Sequence, residues 1–256
     1  MNVNSTQNSQ ISRVLRDPSP GLLISARSIA ESIAIVAAGG TWLDVKEPNL
    51  GSLGRPPLDL IFSILELDIP ERVQVSIAGG ELVEWSDELD FELAAKLPAR
   101  TYLKLALAGC EGSEWKGTAD RISRALARRS QLILVHYADS ERSQSPSWQE
   151  VLETTKTLGG KYVLIDTHCK KSGGLLDYYS HEKLGNLIHL AKQLKLSVAL
   201  AGSLKLEQLQ SLSKLPADWL GVRGAVCQDT LRTGGLCPDR MKQALSLIPQ
   251  RKLTGS

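Results

Sequence analysis

The sequence predicts an α/β protein that folds as a single TIM (β/α)8 barrel. Three observations lead to this prediction: apolar strand-like runs alternate with helical stretches, the alternation repeats eight times, and the connecting loops are too short to separate domains. Strands that alternate with helices form right-handed βαβ units and a parallel sheet, and eight such units are the count of this barrel. A doubly wound open sheet is the alternative, although no G-x-G-x-x-G motif follows the first strand.

The predicted elements follow one another along the chain without a break. The strand candidates lie at 22–26, 42–46, 73–78, 102–107, 132–137, 162–166, 197–201 and 220–223. The helix candidates lie at 28–38, 57–67, 87–96, 114–129, 147–158, 180–195, 205–214 and 238–248. Residues 1–20 are polar and carry little apolar surface to bury, so we expect a flexible tail there, a catalytic barrel at 21–250 and a short tail at 251–256.

Composition narrows the range of partners. With 30 basic and 28 acidic side chains, the chain has no overall field that would attract nucleic acid or an anionic membrane. No apolar run approaches the ~20 residues that span a bilayer, and the first residues lack the apolar core of a secretory signal. The four cysteines form no C-x-x-C pair, which predicts reduced thiols in a cytoplasmic protein and no metal site.

The stretch TWLDVKEPNLGSLG, residues 41–54, carries the first candidate site residues. In an extended strand alternate side chains share a face, so Trp42, Asp44 and Lys46 point the same way. Pro48 cannot continue a strand, which places Lys46 at a strand end that opens onto a loop. Barrel enzymes keep their catalytic groups at that end of the strands.

Charged residues interrupt the apolar runs of the even-numbered strands. They are Asp44 and Lys46 in strand two, Lys104 in strand four, Asp166 in strand six and Arg223 in strand eight. Because a lone buried charge costs several kcal/mol, we expect these groups to meet near the barrel mouth. Two alternatives stay open for Lys104, which either snorkels from an edge strand or is a structural partner for an acid. For Asp44 the alternative is a strand-end cap.

The stretch DTHCKKSGGLLD begins at Asp166 and adds further candidates. Lys170 can fold back over the mouth, although its neighbour Lys171 competes for the same role. His168 and Cys169 form either a nucleophilic pair or part of a solvated loop. After strand five, Asp139 orients a lysine, accepts a proton, or caps its loop.

Small residues after strands seven and eight predict an anion site. Gly202 and Ser203 follow strand seven, and Gly224 follows Arg223 after strand eight. Backbone N–H groups of these loops bind phosphate in many barrels, and an arginine adds bidentate charge. The alternative for Ser203 is a helix N-cap.

Several lysines around one mouth suggest amine chemistry. Crowding and partial desolvation lower the pKa of a lysine, and the neutral amine then attacks a carbonyl carbon. Lys46, Lys104 and Lys170 provide the amines, while Asp44 and Asp166 are available to move protons. The predicted substrate is a small phosphorylated carbonyl compound, and no cofactor is expected.

Six segments in this order resemble a known family: DVKEPNLGSLG, YLKLAL, YAD, LIDTHCK, ALAGSLK and GVRGAVC. From about residue 22 to 247 the chain is similar to the (5-formylfuran-3-yl)methyl phosphate synthase family of methanofuran biosynthesis. The resemblance implies a TIM barrel and chemistry like that of a class I aldolase. Two glyceraldehyde 3-phosphate molecules condense, one after isomerisation to dihydroxyacetone phosphate, and water and one phosphate are lost.

The resemblance also implies roles for individual residues. The Schiff-base lysine of the family falls on Lys46, its further active-site lysines on Lys104 and Lys170, and its acids on Asp44 and Asp166. The predicted partner is a phosphorylated triose, and we expect a cytoplasmic homo-oligomer. Two other functions stay open: a phosphosugar isomerase or epimerase that works without an imine, and a barrel that binds a ligand without catalysis.

Overall fold

The computed structural model describes residues 19–86, 88–126 and 130–248, which form a closed barrel of eight parallel strands. The strands are β1 (Gly21–Ala26), β2 (Trp42–Val45), β3 (Gln74–Glu81), β4 (Thr101–Ala106), β5 (Gln131–Tyr137), β6 (Tyr162–Asp166), β7 (Ser197–Leu200) and β8 (Trp219–Val222). They follow chain order around the barrel, and β1 closes it by pairing with β8. The TIM-barrel prediction is confirmed, and the doubly wound alternative is wrong. The predicted tails lie outside the described residues, apart from Ser19 and Pro20.

Ten helices lie in the described part of the chain. They are α1 (Ile29–Ala37), α2 (Leu58–Leu65), α3 (Glu88–Lys96), α4 (Trp115–Ala125), α5 (Ser140–Ser143), α6 (Trp148–Thr157), α7 (Leu175–Tyr178), α8 (His181–Gln193), α9 (Leu206–Leu212) and α10 (Pro238–Leu247). Eight of them match the predicted helices, whereas the single-turn helices α5 and α7 were not predicted. Serine is the N-cap residue of three of the longer helices. The side chains of Ser28, Ser147 and Ser180 each accept a hydrogen bond from a backbone N–H of the first turn. None of the described helices is long and apolar enough to cross a membrane.

The barrel has two apolar cores, one between the sheet and the helices and one inside the ring of strands. Four aromatic rings from the even-numbered strands pack together inside the ring: Trp42, Tyr102, Tyr162 and Trp219. They lie at the first or second position of their strands and fill the end of the barrel formed by the strand N-termini. Gly21 is required beneath them, since a Cβ there would lie 2.2 Å from a ring atom of Trp219. The charged residues therefore face the opposite, open end.

Strand β3 runs three residues beyond its predicted end because a bulge interrupts its pairing with β4. The register shifts between Ala78 and Glu81, and Gly80 adopts a φ of +84°, a conformation that favours glycine. The bulge directs Glu81 toward Tyr137, whose hydroxyl donates to Oε1 of Glu81 at 2.6 Å. A hydrogen-bonded pair of the buried Tyr137 and the half-buried Glu81 thus lies next to the end of β5, and the strand periodicity did not predict it.

Candidate active site

A cavity of about 420 Å³ opens at the carboxyl ends of the strands. Its charged lining is uneven, with seven basic side chains against three acidic ones. The basic residues are Lys46, Lys104, Lys170, Lys205, Arg223, Arg232 and Arg240, and the acidic ones are Asp44, Asp166 and Glu207. Nine of the ten sequence-predicted site residues line this cavity, and Asp139 is the exception.

Asp44 and Lys104 form an ion pair inside the barrel. Lys104 Nζ lies 2.6 Å from Asp44 Oδ1, and the two side chains are 3% and 1% exposed. The hydroxyls of Ser25 and Ser76 donate to the same carboxylate at 2.9 and 2.7 Å. Burial raises the pKa of Asp44, but Lys104 and Lys46 outweigh this effect and hold the pKa below its usual value. Asp44 is therefore a carboxylate at neutral pH, and the alternative that Lys104 snorkels from an edge strand is wrong.

Lys46 lies at the end of β2 among charged neighbours. Removal of its ammonium group from water lowers the pKa to about 7, against the pull of the carboxylates of Asp166 and Asp44. The ammonium groups of Lys104 and Lys170 lower it further. A substantial fraction of Lys46 is therefore a neutral amine near pH 7, which is the form that attacks a carbonyl carbon.

Asp166 is held at the mouth by three neighbours. It forms an ion pair with Lys170, accepts the backbone N–H of Thr167 at 2.7 Å, and accepts the hydroxyl of Ser52 at 3.1 Å. The Ser52 carbonyl lies 3.5 Å from Lys46 Nζ, so the loop after β2 connects this carboxylate to the lysine. Burial raises the pKa of Asp166, and the nearby ammonium groups of Lys170 and Lys46 more than compensate.

Asp139 caps the loop that carries Lys170. Its carboxylate oxygens accept the backbone N–H groups of His168 and Cys169 at 2.6 and 2.9 Å. These contacts match the loop-capping alternative for Asp139. The carboxylate also acts electrostatically on Lys170, whose pKa it raises.

His168 and Cys169 do not form a pair. The His168 ring packs edge-on against Tyr137, with 5.1 Å between centroids, while the Cys169 thiol accepts the hydroxyl of Ser172 at 3.1 Å. This arrangement matches the solvated-loop alternative.

Arg223 does not offer its guanidinium to the cavity, which corrects the prediction that it binds phosphate with its side chain. All five N–H donors have protein acceptors. Nε donates to the Arg232 carbonyl at 2.7 Å, Nη1 to the Ser25 carbonyl and to Glu31, and Nη2 to Glu31 and the Gly234 carbonyl. Strand β8 ends one residue earlier than predicted, and the backbone at Arg223 leaves the extended conformation, with φ −136° and ψ −69°.

The loops after β7 and β8 form one wall of the cavity, as predicted. Gly202, Ser203 and Gly224 line it, and Ser203 is exposed there. The N-cap of α9 is Lys205, so the helix-cap alternative for Ser203 is wrong. The sequence reasoning missed Lys205 and Arg240, which add two cations to this wall. Lys205 is the N-cap of α9 and Arg240 lies in the first turn of α10, so neither belongs to the alternating pattern of a strand that revealed the other site residues.

Arg232 is the third cation that the sequence reasoning missed. It lies in the loop between β8 and α10, and its Nη2 donates to the Gly51 carbonyl at 2.7 Å, across the mouth of the barrel. Burial lowers the pKa of its guanidinium. A loop residue follows neither the strand nor the helix repeat, so the sequence pattern does not predict that Arg232 lines the cavity.

Comparison with known proteins identifies the family. The family model described as 4-HFC-P synthase matches residues 22–245. This chain belongs to the 4-HFC-P synthase family. The match covers every predicted site residue and also the three cations that the sequence reasoning missed.

Curated relatives of this family extend over nearly the same length. The chain is 30% identical over 232 residues to a protein of Methanopyrus kandleri named (5-formylfuran-3-yl)methyl phosphate synthase, covering 89% of this chain and 98% of the relative. A protein of the same name from Methanothermobacter thermautotrophicus is 29% identical over 232 residues, with 89% and 98% covered. The resemblance inferred from the six segments is confirmed.

Solved structures outside the 4-HFC-P synthase family share the fold. Phosphoribosyl anthranilate isomerase from Thermus thermophilus superimposes with a TM-score of 0.58 at 16% identity, covering 89% of this chain and 97% of that one. For 3-hexulose-6-phosphate synthase from Salmonella typhimurium the TM-score is 0.55 at 14% identity, covering 88% and 98%. At these identities the similarity concerns the barrel architecture alone.

Proposed function

We propose that this chain is a (5-formylfuran-3-yl)methyl phosphate synthase that condenses two triose phosphates through a Schiff base on Lys46. The observation that carries the proposal is the environment of Lys46. Its pKa is lowered to about 7, and the ion pairs of Asp44 with Lys104 and of Asp166 with Lys170 lie in the same cavity. The excess of basic groups in the lining favours an anionic substrate such as a phosphate ester.

The first part of the proposed reaction builds the imine. The neutral Nζ of Lys46 adds to the carbonyl carbon of dihydroxyacetone phosphate, and the carbinolamine loses water to give a protonated imine. This imine withdraws electrons from the neighbouring carbon, so a base can remove a proton there. We assign that base to Asp166, because Ser52 and Lys170 hold its carboxylate at the mouth. Asp44 and Lys104 keep a fixed charge beneath the imine.

The second part forms the carbon–carbon bond. The enamine carbon attacks the aldehyde carbon of glyceraldehyde 3-phosphate, whose oxygen takes up a proton. Ring closure and elimination follow, and hydrolysis frees Lys46. In total, two triose phosphates become one furan phosphate, one inorganic phosphate and two water molecules, so no oxidant or reductant is consumed.

The test is to trap the imine. The protein is incubated with glyceraldehyde 3-phosphate and borohydride, digested, and mapped by mass spectrometry, and the furan product is measured in a parallel sample without borohydride. We expect the reduced adduct on Lys46 and none on Lys161, an exposed lysine just before β6. Lys46→Arg should lose both adduct and product. Absence of adduct and product in the wild-type protein contradicts the proposal.

A second experiment, solvent deuterium exchange, separates the proposal from an isomerase or epimerase that uses acid–base chemistry alone. Such an enzyme would exchange solvent deuterium into the triose phosphate, and the exchange would persist in Lys46→Arg. Under the Schiff-base mechanism the exchange is lost with the lysine.

A further inference from the structure

Four of the seven cations in the cavity have no carboxylate partner among the described residues. Lys104, Lys170 and Arg223 are paired with Asp44, Asp166 and Glu31. The cations without such a partner are Lys46, Lys205, Arg232 and Arg240. Three of these four donate to a backbone carbonyl and not to a carboxylate. Because Lys46 is partly neutral near pH 7, the excess of positive charge comes from Lys205, Arg232 and Arg240. A cavity with this lining is suited to more than one negative charge.

These cations lie on two sides of the cavity. Lys205 and Arg240 belong to the wall of the loops after β7 and β8, where phosphate was predicted. Arg232 belongs to the same loop after β8, but its side chain extends to the loop after β2, where its Nη2 donates to the Gly51 carbonyl. On that side Arg232 acts electrostatically on Lys170, the lysine paired with Asp166.

The loop around Arg232 is fixed by two arginines that point away from the cavity. Arg223 donates to the carbonyls of Arg232 and Gly234 at 2.7 and 2.9 Å. Arg27 donates to the Thr233 carbonyl at 2.6 Å. Hydrogen bonds from these two arginines thus fix three consecutive backbone carbonyls. The backbone that carries Arg232 is therefore ordered before a ligand binds, and binding does not have to order it.

The base of the loop is closed by a short antiparallel bridge. Cys227 pairs with Leu236, and the Gln228 N–H donates to the Gly235 carbonyl at 3.0 Å. Only one of the five N–H donors of Arg232 is engaged in the described structure, by Gly51. A guanidinium with free donors and a fixed backbone is suited to bidentate recognition of a phosphate.

We propose that Arg232 forms a second phosphate subsite, beside the loop after β2 and separate from Lys205 and Arg240, so that the cavity holds two phosphorylated three-carbon molecules together. This inference rests on the proposed function, which requires two triose phosphates. It assigns the phosphate of the incoming aldehyde to Arg232 and leaves Ser203, Lys205 and Arg240 to the molecule bound to Lys46. It also gives Arg223 its role, which is to position the loop that carries Arg232.

The kinetic test compares two acceptors. With dihydroxyacetone phosphate as the first molecule, glyceraldehyde 3-phosphate and unphosphorylated glyceraldehyde are offered to wild type, Arg232→Met, Arg232→Lys and the surface control Arg124→Met. In Arg232→Met we expect kcat/KM for the phosphorylated acceptor to fall about 100-fold, and for glyceraldehyde less than about threefold. Arg232→Lys should recover part of the loss, and Arg124→Met should match wild type. Equal losses for both acceptors, or no loss, overturn the proposal.

The structural test does not depend on activity. Crystals of wild type and Arg232→Met are soaked in inorganic phosphate, and we expect an anion on Arg232 in wild type that is missing in the variant, while the anion near Ser203 stays in both. Phosphate at the Ser203 wall alone overturns the inference. If wild type instead gives no borohydride adduct on Lys46 yet binds phosphate at Arg232, the proposed function fails and the subsite stands.

Discussion

Asp44 and Lys104 show why a charged pair is stable inside this barrel. The two side chains are almost completely buried, and both oxygens of the carboxylate have partners. Lys104 and Ser76 contact one oxygen, and Ser25 contacts the other. Trp42 completes the arrangement by donating its ring N–H to the Ser76 hydroxyl at 3.0 Å. A buried pair is stable only when such neighbours replace the lost water.

Removing one partner of this pair should be costly. In Lys104→Met the buried Asp44 loses its cation, and we expect the free energy of unfolding to fall by about 3–5 kcal/mol. Asp44→Asn in the same chain removes the orphaned charge and should restore part of the loss. Urea unfolding of the single and double variants measures the coupling as a double-mutant cycle. Additive losses would show that the two side chains do not depend on each other.

Lys46 should give imine formation a pH dependence that an ordinary lysine lacks. Its pKa is lowered to about 7, so the amine is mostly protonated at pH 6 and mostly neutral at pH 8. The rate of borohydride trapping with dihydroxyacetone phosphate should fall about tenfold per pH unit below 7 and level off above it. A rate that still rises steeply between pH 8 and 10 would mean an unperturbed lysine.

The neighbours of Lys46 should move that inflection in opposite directions. Asp166 raises the pKa of Lys46 and Lys170 lowers it. Asp166→Asn should therefore shift the midpoint of trapping to lower pH, whereas Lys170→Gln should shift it to higher pH. The exposed loop variant Lys171→Gln is the control and should leave the midpoint in place. Shifts of the same sign in the first two variants would contradict the electrostatic explanation.

At the scale of elements, the loops after the strands are held by acids and arginines that do not enter the cavity. Asp139 at the end of β5 binds two N–H groups of the loop after β6, and Arg223 binds carbonyls of the loop after β8. Asp139 therefore holds the loop of the next strand, and Arg223 holds the loop of its own strand. Both side chains position loops that line the cavity.

Asp139→Asn tests this positioning. The amide has one acceptor oxygen where the carboxylate has two, so one loop N–H loses its partner and the segment 167–172 should loosen. We expect turnover to fall about 10-fold or more, with Lys46 adduct formation nearly unchanged and faster hydrogen exchange at the amides of His168 and Cys169. Unchanged exchange together with lost adduct formation would instead indicate a direct role of Asp139 at the imine.

The sequence predicts elements and strand faces better than it predicts loops. Period-two spacing places Asp44, Lys46 and Lys104 correctly, because a barrel strand has one inner and one outer face. The same rule fails at Arg223, where the chain has left the strand and the side chain turns to Glu31. Arg232 follows no period at all, and its position depends on bonds between residues about 180 positions apart in sequence. Such long-range contacts exist only after the barrel has closed.

At the scale of the whole molecule, overall charge and local charge differ sharply. The chain has a formal net charge of +2, whereas the cavity lining carries seven basic and three acidic side chains. The closed ring of strands produces this difference, since it gathers charged residues from β2, β4 and β6 and from the segments after β6, β7 and β8 at one rim. Composition predicts no nucleic-acid surface, but it does not reveal a local concentration of cations at an anion site.

An anion site of this kind should stabilise the folded chain when it is filled. A ligand that binds only the folded state raises stability by RT ln(1 + [L]/Kd), about 1.4 kcal/mol at ten times Kd, which corresponds to a rise of about 3–6 °C in Tm for a domain of this size. We expect this shift with 10 mM inorganic phosphate in wild type and in Arg124→Met, measured by calorimetry against sodium chloride of equal ionic strength. In Arg232→Met and in Arg240→Met the shift should be smaller, because each variant removes a cation from one side of the cavity. An equal rise with chloride would mean that screening of surface charge, and not a phosphate site, stabilises the fold.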